Sequence, residues 1–183
     1  MAEMFTKTQN GTIAHPHVHD AGDLTTVGYA CEVMKWFKPA LTVVNMSGVD
    51  GCHSSFTGYL AAMHRADHAV GHLWDFIQTQ VPEMANNTVI IAVPECGRNA
   101  EPNAILDQND WYSFDHSDAN ALRVFGMMAG PSVPANLSVG GEGNPVGIVT
   151  DVVPTIAEIL GVKNEVMGAG LLHPGTLSLY DRI

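Results

Sequence analysis

The sequence predicts a three-layer α/β domain: a mainly parallel sheet with helices on both of its faces. Three observations carry that prediction. Apolar runs at residues 41–44 (LTVV), 88–93 (TVIIAV) and 121–129 (ALRVFGMMA) have the character of buried strands. Helical periodicity covers residues 24–37, 56–79 and 152–160. The resulting order, helix, strand, helix, strand, strand, helix, is that of a layered domain whose strands are joined by crossovers.

At 183 residues, with 46% hydrophobic and 15% charged residues, the chain is long enough to bury a core and too apolar to be disordered. Its formal net charge of −11, with only 8 Lys and Arg, argues against nucleic acid and against an anionic membrane surface as partners. Three cysteines, Cys31, Cys52 and Cys96, leave at least one thiol unpaired, and none has CxxC spacing. No apolar run is long enough to insert into a membrane, and the N-terminal text MAEMFTKTQNG has no apolar segment of the signal-peptide kind. The expectation is an intracellular chain, or one lacking an upstream segment.

Residues 1–23 form a polar N-terminal segment, and residues 24–183 form the domain. Within the first segment His15, His17 and His19 alternate, so on an extended chain they share a face; this suits metal ligands and a plain surface equally. Asp23 is placed to cap the helix over 24–37, where Leu24, Val27, Cys31 and Met34 recur at helical spacing, and Pro39 ends it. The strand at 41–44 runs into small residues and then delivers Asp50 and His53.

The long helix over 56–79 takes Ser54 or Ser55 as its cap. Phe56, Leu60, Met63, Val70, Trp74 and Ile77 make its apolar stripe, with Asp67 on the same face. His64, His68 and His72 form an i, i+4, i+8 ladder on its flank, read as a solvated face before a chelate. The strand at 88–93 delivers Glu95, Cys96, Gly97, Arg98 and Asn99. Residues 100–118 are a long loop, of the kind that tends to carry function, closing on Asp115 and His116. After the run at 121–129 and a Gly/Pro-rich loop, Thr150 or Asp151 caps the helix over 152–160, Pro154 sits in its first turn and Gly161 follows its end.

Open α/β sheets place their chemistry beyond the carboxyl ends of strands, and right-handed crossovers bring such ends to one edge. An Asp and a His three residues apart on that edge offer a hard oxygen and an imidazole nitrogen to one zinc-type ion. Solvated polar residues on a loop are the simpler reading of the pair alone. The repetition of strand followed by metal-type residues favours the ligand reading.

Four stretches in this order resemble the alkaline phosphatase superfamily, which also holds sulfatases, nucleotide pyrophosphatases and cofactor-independent phosphoglycerate mutases. They are VVNMSGVDGCH with the following helix and its Asp67, TVIIAVPECGRN, DHSDANALRVFGMMAGP and DVVPTIAEILG, spread over residues 24–162. The resemblance implies two divalent metals, commonly zinc, about 4 Å apart. It implies Asp50, His53 and His116 as ligands of one and Glu95 and Cys96 as ligands of the other. Arg98 or Arg123 is a candidate to meet substrate oxygens, with a plain surface cation as the other reading of each. The implied substrate is a small phosphate or sulfate ester.

Three features depart from the family pattern. The Asp-to-His interval is three where four is usual, Glu95 stands for Asp, and Cys96 stands for His. The family's first strand and nucleophile-bearing helix have no counterpart before residue 24. The expectation is therefore a C-terminal portion, inactive alone for want of a nucleophile, forming homo-oligomers or taking a partner chain that completes its sheet. The other reading is a catalytically inactive metal-binding or scaffolding module in a larger assembly.

Overall fold

The computed structural model describes residues 22–182, so the polar N-terminal segment with His15, His17 and His19 lies outside the described residues. The chain divides into two compact units. One holds residues 22–86 and 100–115; the other holds residues 87–99 and 116–182.

The first unit is a helix pair with a clasp. Helix α1 (Gly22–Phe37) presents Val27, Ala30, Cys31 and Met34 as its buried face. It ends where Lys38 turns left-handed at φ 43° and donates its N–H to the Met34 carbonyl. Helix α2 (Phe56–Gln80) is capped by Ser55, whose hydroxyl accepts the Gly58 N–H at 3.0 Å. Its buried residues are Ala62, Ala69, Leu73 and Ile77. Two of the four are alanine, which lets α1 and α2 approach closely. Each fully buried Leu, Ile or Val contributes about 1.5–3 kcal/mol. A short helix α3 (Pro82–Ala85) follows, opened by its proline.

The apolar stripe expected on α2 is offset from the one that packs. Leu60 and Met63 are half exposed and Asp67 is exposed, so Asp67 is not an inward carboxylate. The seam lies one helical position round, where small side chains sit. Pattern-reading by side-chain size weights the large residues and misses a seam built on alanine.

The second unit contains strands β1 (Ile90–Ala92) and β2 (Met127–Ala129). They pair antiparallel, with Ile90 opposite Ala129 and Ala92 opposite Met127. A 3-10 turn, Ala119–Leu122, stands where the third strand was expected to begin. Helix α4 (Val152–Ile159) packs against α5 (Lys163–Gly168), a helix the sequence pattern did not announce. Gly161 turns left-handed at φ 71° just past α4, as expected of that glycine.

The three-layer, mainly parallel sheet is therefore overturned. Among the described residues the sheet is two short antiparallel strands. Residues 41–47 belong to no sheet, and Leu41 and Val43 are 52% and 82% exposed. A β-branched apolar run records that a segment suits an extended conformation. It does not record which segment lies beside it, and pairing is what makes a sheet.

The Asp-x-x-Pro-Thr stretch of α4 has a structural task within the second unit. The Asp151 carboxylate accepts the N–H groups of Ile148 and Leu177, each at 3.0 Å, and lies 3.5 Å from the Arg182 guanidinium. The Thr155 hydroxyl donates to the Asp151 carbonyl and accepts the Leu179 N–H at 2.7 Å. Both side chains are buried. They tie the C-terminal tail to the start of α4, which satisfies polar groups that would be costly to bury alone.

Candidate metal centre

The turn that carries Asp50 and His53 is a 3-10 helix, Gly48–His53, lying against α2. Its start is held by Asp23. That buried carboxylate accepts the N–H of Ser47 at 2.9 Å and of Gly48 at 3.1 Å. A β-carbon on Gly48 would collide with the Asp23 carboxylate, so glycine is required for this approach. Asp23 was expected to cap α1. Instead it reaches 24 residues along the chain to anchor the candidate ligand turn.

The far side of the turn is clasped by the loop over 100–115. Asn103 donates its amide to the His53 carbonyl at 3.0 Å, and the Phe114 N–H donates to the Cys52 carbonyl at 3.2 Å. Asp107 fastens the same loop to the start of α2. Its carboxylate accepts the N–H groups of Asn109, Trp111 and Thr57 and the Thr57 hydroxyl, at 2.8–3.2 Å. Burial pushes this carboxyl up, but those donors together outweigh it and hold it at about 2. Phe56 stacks on Trp111 and tilts against Phe114, closing the clasp with aromatic contact.

These anchors set His53 between two carboxylates. Its Nε2 lies 3.0 Å from Asp50 Oδ1 and its Nδ1 lies 3.0 Å from Asp115 Oδ1. A neutral imidazole has one N–H and one lone pair, so it donates to only one carboxylate. The other face needs a second proton or a cation. His116 follows Asp115 directly in the chain. Within the first unit the donors brought side by side are Asp50 and His53, while His116 belongs to the second unit. Around tetrahedral zinc, an oxygen and a nitrogen donor at about 2.0–2.1 Å stand roughly 3.3 Å apart. The Asp50–His53 separation of 3.0 Å needs only a few tenths of an ångström of opening to fit.

An imidazole nitrogen beside a carboxylate oxygen is a donor mixture that suits borderline-soft divalent ions. The site is also wet: the side chains of Asp50 and Asp115 are 69% and 51% exposed, and that of His53 is 34% exposed.

The second motif performs a different task within its own unit. The Asn99 side-chain oxygen accepts the N–H groups of Ser117 at 2.6 Å and Asp118 at 2.8 Å, fixing the backbone just after His116. The Gly97 N–H donates to the Ala121 carbonyl at 2.7 Å, and the Asn120 amide donates to the Arg98 carbonyl at 2.8 Å. A β-carbon on Gly97 would strike the Arg123 carbonyl. Glu95 is exposed, while Cys96 and Arg98 are half-buried. Among the described residues neither Glu95 nor Cys96 joins a cluster of three metal-type side chains. Of the implied ligands, Asp50 and His53 stand side by side in the first unit, and His116, Glu95 and Cys96 belong to the second.

Comparison with family models, with curated proteins and with solved structures returns no match to this chain.

Proposed function

We propose that the chain holds a divalent cation of the zinc type through Asp50 and His53, with His116 as the third donor that the resemblance implies, and that it is the metal-holding portion of a hydrolase acting on phosphate or sulfate esters. One observation supports the metal: the Asp50 carboxylate and the His53 imidazole stand 3.0 Å apart and solvent-facing on one anchored turn. The ester specificity rests on the resemblance described above. A cation there supplies Lewis acidity toward a phosphoryl or sulfuryl oxygen. Asp50 offsets its charge, and His53 and His116 hold it with neutral donors. Arg98 is proposed to meet substrate oxygens, and Glu95 and Cys96 are proposed as donors to a second metal.

Metal analysis and calorimetric titration with zinc test the first part. One equivalent is expected at Asp50 and His53 and is lost in Asp50→Ala and His53→Ala; a second equivalent belongs to Glu95 and Cys96. A chain that takes up no zinc, cobalt or manganese overturns it. The ester part is read from the visible spectrum of the cobalt-loaded chain. Inorganic phosphate or sulfate at millimolar concentration is expected to shift the bands by binding to the cobalt. An unchanged spectrum favours the second reading, a metal-binding or scaffolding module without catalysis, which Cys96 in the place of an expected His also favours.

A further inference from the structure

We infer that Asp115 is a positioning residue for the metal ligand His53: it holds the ring as the Nδ1–H tautomer and so aims the Nε2 lone pair at the cation shared with Asp50. The inference rests on the metal reading above and adds a residue that the ligand set does not include. Its basis lies wholly in the first unit.

Asp115 Oδ1 sits 3.0 Å from His53 Nδ1, at hydrogen-bond distance, while the opposite nitrogen faces Asp50 at the same separation. The two carboxylates are therefore not equivalent. Asp50 shares the Gly48–His53 turn with His53 and is the proposed ligand, whereas Asp115 ends the loop that clasps that turn. Asp115 is thus an outer partner, bonded to a ligand and not to the ion. A hydrogen bond from the non-ligating nitrogen to a carboxylate fixes both ring tautomer and ring orientation, and it raises the basicity of the ligating nitrogen.

The backbone agrees with this assignment. Asp115 follows Phe114, whose N–H is bonded to the Cys52 carbonyl, the residue next to His53. Asn103 binds the His53 carbonyl from the same loop. The loop over 100–115 thus grips the backbone once at Cys52 and once at His53, and the His53 ring at a third point. Without the third contact the imidazole of a half-exposed side chain is free to rotate about χ2 and to exchange tautomers, and only one of those states offers Nε2 to a metal shared with Asp50.

The experiment is a zinc titration of the full chain and of Asp115→Ala and Asp115→Asn, with the melting temperature of each metal-free protein measured alongside. The expected result is one zinc at Asp50 and His53 for wild type, about 10–100-fold weaker binding for D115A, and an intermediate loss for D115N, whose side-chain oxygen still accepts a bond. Equal affinities in D115A and wild type overturn the positioning role and leave the ligand set standing. A wild-type chain that binds no zinc removes the metal reading itself, and this inference with it. Long-range proton–nitrogen spectra of the zinc-loaded wild type give a second readout that survives a D115A chain too unstable to titrate. A protonated Nδ1 and a ligated Nε2 on His53 support the assignment; the reverse pattern overturns it.

Discussion

Substituting Ile77 by Ala tests which face of α2 carries the core. Ile77 is fully buried. Truncation removes three carbons, at about 0.8 kcal/mol each, or about 2.4 kcal/mol of transfer free energy. A residual void of roughly 50 Å³ at about 24 cal/mol per Å³ adds about 1.2 kcal/mol. The expected loss is therefore about 3.5 kcal/mol, a large part of the about 5–15 kcal/mol that a domain has. Asp67→Ala, on the exposed side of the same helix, should stay within about 0.5 kcal/mol of wild type. The assay is urea unfolding followed by tryptophan fluorescence. Trp36, Trp74 and Trp111 all lie in the first unit, so the signal reports that unit alone. A loss above about 1.5 kcal/mol for D67A would refute the assignment of the buried face, since it follows if the helix is rotated to put Asp67 inward; a loss below about 1 kcal/mol for I77A would refute the burial of Ile77 itself.

Val43→Asp should cost less than about 0.5 kcal/mol in the same assay, because Val43 is 82% exposed; a buried strand at this position would lose several times more. Asp107 has its carboxyl depressed from 3.8 to about 2, so its contribution is present above about pH 4 and disappears as the pH falls to 2. The stability gap between wild type and Asp107→Asn should accordingly be flat above pH 5 and close between pH 4 and 2; a gap that widens in acid contradicts the sign. Thiol labelling of the native chain at pH 8 should be fast at Cys96 alone. Cys31 is buried, and that burial, reinforced by the nearby Glu32 charge, pushes its thiol up to about 11, while Cys52 is also buried. One equivalent of zinc, filling Asp50, His53 and His116, should leave the Cys96 rate unchanged, whereas slower labelling would put Cys96 on a metal.

Local structure was legible in the sequence where its cause is local. The limits of α1 and α2, the Ser55 cap and the left-handed Gly161 follow from spacing, side-chain hydrogen bonding and the lack of a β-carbon, all of which act within one or two turns. The sheet was not legible. Residues 41–44, 88–93 and 121–129 all read as strands. Only Ile90–Ala92 and Met127–Ala129 find partners among the described residues, and they run antiparallel. Strand character belongs to a segment and pairing belongs to two, so three apolar runs were compatible with a parallel layer and with the hairpin-like pair observed.

The candidate site divides along the same line. Asp50 and His53 stand out because they are three residues apart on one turn, and His116 because the family resemblance asks for it. What holds them is not written near them. Asp23 grips the ligand turn from 24 residues away, and Asn103 binds His53 across 50. Asn99 fixes the backbone after His116 across 18. Asp23 read as a helix cap and Asn99 as the end of a ligand motif, Asn103 carried no mark at all, and each satisfies backbone groups that the irregular loops leave without helix or sheet partners. A metal site on loops needs that kind of support, because loop backbone has no ladder to keep donor atoms within tenths of an ångström. The supporting residues should therefore be as sensitive as the ligands. Asp23→Ala, which releases the Ser47 and Gly48 N–H groups and leaves the Asp50 and His53 side chains intact, is expected to weaken zinc binding by about tenfold or more. Unchanged affinity in a folded D23A chain would mean that the ligand turn is held by something other than this carboxylate.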